Sequence, residues 1–505
     1  MRGDIKFFLL SGFFLILAIS LPYIYGISRQ SSGKVYTGLP ECNYQDINLY
    51  LTAIKQGEKK LVWENPYSVE TQKAMPIYLF YLLLGRTMAF LNLKPIVVYH
   101  ITRIVLAVAG MLVLYKFIAF FTDDKLRRRI AFLLTLFSSG FGFFFSMLGV
   151  RKRLLIDLWM PELNFFFSAY NSPHFVLSEI LIIASFLTFL IACEKESVLW
   201  AALTGLAVFS EGIFHPYGIF IIYSVMFVYS LFAGKYSRRF FLIVLVMSLP
   251  SVGYYFHIIA SDPVWLEWAR ANWLRSPSWL SYLSGFGIIL PFAIYSLREY
   301  FKFEDKRKLF IAIWFLVILL IILLPIKSNR KFVLTLNIPI CILASGSILS
   351  ILKRKTVAIV ALVIFAAGTN VFIVTSDMAK IKNAEFPYYI SDCLMKSFEW
   401  LHAQRGGGIV LSNIETGNFV PVFTRNKVFI GHWDQTINPM EKRKIARDFF
   451  DAKTSWEKRE KILSEFRIKY IIGDKFVFNN SPGWLEKVFE CGQTVIYGNN
   501  QIPAG

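Results

Sequence analysis

The sequence predicts an all-α polytopic membrane bundle of about 11 transmembrane helices, followed by a small C-terminal extracytoplasmic α/β domain. Only 17% of its 505 residues are charged while 55% are hydrophobic, against about 25% charge in an ordinary soluble domain. Apolar segments of membrane-crossing length succeed one another with short basic connectors between them. Past residue 375 the apolar stretches shrink to strand length and alternate with polar, helix-like segments. These features exclude a water-soluble enzyme. The lack of low-complexity and Pro/Gly-rich tracts excludes a disordered chain.

Lys and Arg number 54 against 34 Asp and Glu, a net charge of +20. In a membrane chain that excess is accounted for by cytoplasmic loop edges and calls for no nucleic-acid partner. The cysteines, Cys42, Cys193, Cys341, Cys393 and Cys491, are dispersed, which excludes a disulfide scaffold and a CxxC zinc site. Cys393 with Cys491 is the pair worth testing for a bridge.

Crossing ~30 Å of hydrocarbon takes roughly 20 residues. The candidates are 7–27, 76–92, 95–121, 130–150, 173–192, 198–213, 216–233, 239–260, 279–298, 309–326, 332–351 and 356–375. The first exceeds the ~7–15-residue core of a signal peptide and no small-x-small site follows it, so it reads as an uncleaved span with its N-terminus inside. The basic connectors are Lys125 with 127–129, Lys235 with Arg238 and Arg239, 298–308 and 353–355. All belong on the cytoplasmic side. Counting every candidate as a crossing puts 123–129 outside, and dropping 76–92 corrects every later connector. That segment is short, follows Pro76 and carries Arg86 in its middle. It is expected along the outer interface or only partly inserted. A transmembrane module then covers 1–375, with outer loops 28–94, 151–172 and 261–278, and the domain 376–505 lies outside.

In that domain 408–411, 427–430, 468–472 and 494–497 read as strands, alternating with helices at 391–404, 439–452 and 456–466. The run Arg405-Gly406-Gly407-Gly408 reads as a helix stop, since no Gly-Lys-Ser/Thr follows it. No internal repeat is evident, which weakens a secondary-transporter reading.

Chemistry is expected first in the loop after the first span, at Cys42 to Tyr50 and Trp63-Glu64-Asn65-Pro66-Tyr67. Asp46 there can accept a proton from a sugar or protein hydroxyl, or it can simply cap a helix over 47–56. The second loop adds Asp157 and Glu162, followed by Asn171-Ser172-Pro173-His174. These can bind a divalent cation through oxygen ligands supplemented by His174, or merely pair with Arg151-Lys152-Arg153. Ionisable residues within spans are functional hypotheses by default. They are His100 and Arg103, Glu211 and His215 four residues apart on one face, and His257, which reads as an interfacial histidine. The clusters Lys327-Ser328-Asn329-Arg330-Lys331 and 151–153 fall outside, against the charge rule. An anionic lipid phosphate held there explains them, as do ordinary headgroups. Trp265, Trp268, Trp273 and Trp279 read as interface anchors more readily than as sugar-stacking groups.

Taken together, Asp46 to Tyr50, Glu64-Asn65-Pro66-Tyr67, Tyr99-His100 with Arg103, Pro161-Glu162, Asn171-Ser172-Pro173-His174-Phe175, His215-Pro216 and Asn329-Arg330-Lys331-Phe332 carry a resemblance. The chain resembles the GT-C class of polytopic glycosyltransferases, which take a sugar from a polyprenyl-phosphate carrier outside the cytoplasmic membrane. More narrowly it resembles a group of bacterial membrane proteins in that class, with which Glu415-Thr416-Gly417-Asn418 and Gly431-His432-Trp433-Asp434-Gln435-Thr436 are similar. The resemblance implies a catalytic acid in the first outer loop, onto which Asp46 maps. It also implies further acids in the second, where Asp157 and Glu162 stand, and an outward-facing accessory tail. The paired acids of several branches are here a lone Asp46 after Gln45, which leaves Mg2+ or Mn2+ dependence open.

The resulting expectation is an inverting sugar transfer at the outer membrane face to a glycan, lipid or protein hydroxyl, with Asp46 and Glu162 catalytic. Arg330, Lys331, Arg103, His174 and His215 bind substrate phosphate, and Asp46, Asp157 and Glu162 are the candidate metal ligands. The alternatives are a transporter or flippase for lipid-linked saccharide and a non-catalytic scaffold of the same fold.

Overall fold

The computed structural model describes residues 2–29, 31–271, 276–325, 328–404, 406–474 and 481–502. Trp273, Lys327 and Arg405 lie outside the described residues. The chain divides into two compact units. One, here the helical unit, comprises Met1–Ile24, Tyr99–His257 and Trp273–Ala379. The other, the mixed unit, comprises Tyr25–Val98, Ile258–Asn272 and Lys380–Gly505.

Among the described residues, six helices are long and apolar enough to cross a membrane: Asp4–Ser28, Pro95–Phe121, Lys125–Met147, Pro173–Lys195, Pro216–Ala233 and Lys235–Ala260. The number rises to eight if each of two bent pairs is one span. These are Trp279–Phe286 with Ile289–Tyr300, bent by 92°, and Thr356–Ala366 with Gly368–Lys382, bent by 48°. The other three anticipated segments fall at Val198–Phe214 and Asn337–Ile351, which are shorter, and at Lys306–Leu323, whose first turn carries three basic residues.

Burial explains the arrangement of the helical unit. Helix Asn337–Ile351 is buried along nearly its whole length, and packs against Ile289–Tyr300 and Lys125–Phe137. Helices such as Asp4–Ser28 and Thr356–Ala366 instead expose Leu9, Leu10, Phe13, Val357 and Ile364, as a lipid-facing surface requires. The loop 151–172 is more folded than expected. It forms three 3₁₀ turns, Lys152–Leu154, Ile156–Leu158 and Pro161–Leu163, and the helix Phe165–Asn171. Its apolar residues Ile156, Leu163, Phe165 and Phe167 join the core of the unit.

The mixed unit is built on sheets. Strands β1 (Lys34–Tyr36) and β2 (Tyr389–Ser391) pair antiparallel. The main sheet comprises β3 (Ile409–Leu411), β4 (Lys427–Val428), β5 (Ile468–Asp474), β6 (Leu485–Cys491) and β7 (Thr494–Asn499), in the order β4-β3-β5-β7-β6. Its first three strands are parallel, whereas β7 pairs antiparallel with β5 and β6. The four expected strands are β3, β4, β5 and β7, and the three expected helices are Asp392–Ala403, Pro439–Phe450 and Trp456–Glu465. Three further elements appear past residue 376: strand β2, helix Ile414–Phe423 and strand β6. A disulfide joins Cys393 to Cys491, tying helix Asp392–Ala403 to β6.

The segment dropped from the crossing count is helix Leu79–Leu91, 13 residues and so about 20 Å long. It packs on helix Tyr44–Gly57. Arg86 donates to the carbonyl oxygens of Glu58 and Lys59 at 3.0 and 3.2 Å, so its charge is met by the backbone just past that helix.

Candidate functional site

In the mixed unit, helix Tyr44–Gly57 places Asp46 in its first turn. The helix starts earlier than 47, and Asn43, with φ of 57°, occupies the cap position. The capping role considered for Asp46 therefore does not arise, and its carboxylate is free for another partner. That partner is His432, whose Nε2 lies 3.1 Å from Asp46 Oδ1. The imidazole side chain is only 3% exposed, while that of Asp46 is 39% exposed. The backbone N–H of Asp434 donates to His432 Nδ1 at 3.2 Å. With Nδ1 accepting, a neutral ring carries its proton on Nε2 and donates it to Asp46.

Neighbouring groups hold both members in place. His432 lies just beyond β4, in a turn closed by Thr436, whose Oγ1 accepts from the N–H groups of Gly431 and His432 at 3.4 and 3.3 Å. Asn65 donates to the carbonyl oxygen of Gln435 at 2.8 Å, and Gln435 donates to the Tyr78 hydroxyl at 2.9 Å. On the other side Asn48 donates to Asn418 Oδ1 at 2.8 Å, and the Tyr67 hydroxyl donates to the Asn418 carbonyl at 3.1 Å. Helix Ile414–Phe423 can seat here because Gly417 and Gly431 lack side chains. A methyl on either would strike the other segment's backbone. Four stretches remote in sequence, 46–50, 64–67, 415–418 and 431–436, thus meet beyond the carboxyl ends of parallel strands β3 and β4, where open α/β sheets place their ligands.

Most other charges in this unit already have partners. Glu64 pairs with Lys427 at 2.9 Å and Lys60 at 3.2 Å, and the Lys427 bond holds its carboxyl below the usual range. Lys55 donates to the carbonyl oxygens of Val422 and Thr424 at 2.9 and 2.7 Å, and burial pulls its ammonium down to about 8. Asp46 differs: its second oxygen makes no hydrogen bond among the described residues.

The helical unit gathers cationic and imidazole groups. Asn329 donates to the carbonyl oxygens of Ile322, at 2.8 Å, and Leu324, closing the C-terminal end of helix Lys306–Leu323. The 3₁₀ turn Asn329–Val333 then presents Arg330 and Lys331. The Arg330 guanidinium lies 5.5 Å from the Trp159 ring centre. Lys331 donates to the Tyr217 hydroxyl at 2.9 Å and sits over that ring at 4.0 Å. His215 bridges helices Val198–Phe214 and Pro216–Ala233, its ring 5.9 Å from Tyr217 and 6.0 Å from His174. Its Nδ1 is 3.1 Å from Ser178 Oγ and 3.4 Å from Glu211, and Ser178 donates to Glu211. Lys331, His215 and His174 are therefore linked, with Tyr217 as the group that residue-by-residue reading missed. The run 151–153 is exposed.

Glu162 borders a tight crevice with Asn164, Glu179, Thr335 and Asn337, too narrow to admit a water molecule. Glu179 Oε2, Asn164 Nδ2, Thr335 Oγ1 and Asn337 Nδ2 are buried there and make no hydrogen bond among the described residues.

Two expected roles need correction. Arg103, assigned to phosphate, is buried and donates from Nη1 to the carbonyl oxygens of Ile19 and Ala169 at 2.9 and 3.0 Å, with its guanidinium over Tyr23 at 4.6 Å. It ties helices together. Asp157, assigned to a metal, is fully buried and accepts from the Gly142 N–H at 2.9 Å; burial pushes its carboxyl up to about 6. Among the described residues no three His, Cys, Asp or Glu side chains gather to hold a metal ion. The expected Mg2+ or Mn2+ set of Asp46, Asp157 and Glu162 does not fit such an ion, since Asp46 faces His432 and Asp157 is buried against the Gly142 N–H and the Thr369 side chain.

The tryptophans divide by role. Trp265 is buried and donates to the Lys73 carbonyl at 2.9 Å, and Trp268 packs edge-on against it. Trp279, at the start of helix Trp279–Phe286, is exposed.

No family model and no curated protein matches the chain. Solved structures do. The oligosaccharyltransferase of Archaeoglobus fulgidus in its apo form aligns with a TM-score of 0.57 at 11% identity, covering 93% of this chain and 69% of that one. An oligosaccharyltransferase of that organism, AglB, has also been solved with an inhibitory peptide and a dolichol-phosphate. ArnT from Cupriavidus metallidurans bound to undecaprenyl phosphate aligns at 0.50 and 10% identity, covering 90% of this chain and 97% of that one. The arabinofuranosyltransferase AftD from Mycobacteria aligns at 0.56 and 12% identity, covering 96% of this chain and 40% of that one. At these identities the likeness concerns the fold.

Proposed function

The chain has the GT-C fold of multi-pass membrane glycosyltransferases, and from that premise we propose that it transfers a sugar from a polyprenyl-phosphate carrier to an acceptor hydroxyl at the outer face of the cytoplasmic membrane. The observation that carries the reading is Asp46. It is a half-exposed carboxylate with one oxygen held by His432 and the other making no hydrogen bond among the described residues, in a site assembled from four separated sequence stretches. Such a group accepts the proton of an attacking hydroxyl. The acceptor oxygen bonds to the anomeric carbon as the carbon–phosphate-oxygen bond breaks. Polyprenyl phosphate leaves with that electron pair, and the anomeric centre inverts.

Charge on the departing phosphate is met by Lys331 and Arg330, with His215 and His174 beside them and Tyr217 fixing the ammonium of Lys331. Glu162 is the second carboxylate assigned to the reaction. Residues 1–375 form the membrane module and 376–505 the outward domain. The Cys393–Cys491 disulfide supports that orientation, because disulfides persist in oxidising compartments. The acceptor is a glycan, lipid or protein hydroxyl. The test is mass spectrometry of surface glycans and glycolipids in a deletion strain: a species missing one sugar is expected, and an unchanged profile overturns the assignment.

A further inference from the structure

We propose that His432 is the positioning residue of Asp46, an inference that rests on the sugar-transfer reading and adds the tail domain to acceptor activation. The ring is nearly buried, so its orientation is set by the protein. Asp434 N–H occupies Nδ1 at 3.2 Å, and the Thr436 hydroxyl accepts from the N–H groups of Gly431 and His432. The Tyr67 ring packs 5.6 Å away. A ring held in this way has one proton to give, on Nε2, and it faces Asp46 Oδ1 at 3.1 Å.

An aspartate in the exposed first turn of a helix otherwise samples several rotamers. The imidazole donor selects one of them and leaves Oδ2 for the acceptor hydroxyl. Because Nδ1 already accepts a backbone N–H, His432 does not take the acceptor proton. That proton goes to Asp46, and the imidazole keeps its own throughout. An ordinary exposed ion pair would contribute little; here the donor is neutral and buried, and its contribution is geometric. Misplacing a reacting group by about 1 Å costs on the order of 10²-fold in rate.

The experiment uses membrane vesicles from the deletion strain carrying full-length variants, with their endogenous polyprenyl-phosphate sugars and acceptors as probes. The wild type restores transfer and Asp46→Asn does not. His432→Ala is expected to lower the rate about 10- to 100-fold, while His432→Gln, whose amide still donates to Asp46, recovers most of it. Unfolding temperatures in micelles should not separate Ala from Gln by the same order. Full transfer by His432→Ala alongside inactive Asp46→Asn overturns the positioning role and leaves the reaction standing. Full transfer by Asp46→Asn overturns the reaction itself. A readout independent of activity is ¹⁵N NMR of the six histidines, with the His432 signal assigned from its loss in His432→Gln. A ring protonated on Nε2, with a proton shift that moves in Asp46→Asn, is expected. A ring protonated on Nδ1 contradicts the proposal whatever the activity.

Discussion

Replacing Asp157 by Asn isolates a buried charge that the fold tolerates at a cost. The carboxylate is fully buried and accepts the Gly142 N–H at 2.9 Å, and burial pushes it from 3.8 up to about 6. Because the folded value lies above the unfolded one, the folded protein holds this proton more tightly. The stability so gained is complete below pH 3.8 and lost as the pH rises through about 6. Two pKa units correspond to about 3 kcal/mol, which the wild type forgoes at pH 7.5. Asn keeps an oxygen for Gly142 and carries no charge. With about 2.1 cal/mol/K of unfolding entropy per residue, that difference is about 3 °C in Tm for this chain. Thermal unfolding in micelles, followed by tryptophan fluorescence, should show Asp157→Asn raised by that order at pH 7.5, by about a third of it at pH 4.5 and little changed at pH 3.5. A variant equally destabilised at all three pH values would refute the burial argument, since the carboxylate would then be needed as a charge.

Three other outcomes follow from the geometry. The Cys393–Cys491 bridge spans 98 residues, so Cys491→Ser should remove about 4–5 kcal/mol of denatured-state constraint. Alkylation mass spectrometry on protein from cells should find both wild-type cysteines blocked without reductant, and free thiols there would contradict an outward tail. Lys331→Met should weaken binding of a polyprenyl phosphate by at least 10-fold, the scale of a hydrogen bond to a charged group, and Tyr217→Phe by a few-fold. Equal binding by all three proteins in a thermophoresis titration would remove Lys331 from the phosphate role.

The parts of the fold set by local pattern were readable in advance. Apolar runs such as 173–192 and 216–233 recur as helices Pro173–Lys195 and Pro216–Ala233, because a membrane imposes length and composition on each helix separately. Strands β3, β5 and β7 likewise announce themselves as short β-branched runs. Helix Ile414–Phe423 escaped notice because Gly417 and Pro421 lie inside it, and both weaken a helical pattern. Strand β6 escaped because Glu486, Lys487 and Glu490 interrupt its apolar alternation. The candidate site was legible as residues and illegible as an arrangement. Asp46 and His432 are 386 positions apart, and no periodicity or spacing relates groups so far separated. The same limit explains Arg103 and Asp157, whose residue types suggest ligands but whose partners, backbone atoms together with Tyr23 and Thr369, are chosen by tertiary packing.

The most direct measurement is the rate at which vesicles of the deletion strain, carrying either wild-type protein or Asp46→Asn, move labelled sugar from endogenous lipid carrier to acceptor. Asn matches the carboxylate in size and still meets His432, yet it does not take up a hydroxyl proton. The account predicts a loss of 10²-fold or more, the usual contribution of a general base, with the protein still folded. Transfer at the wild-type rate would contradict it.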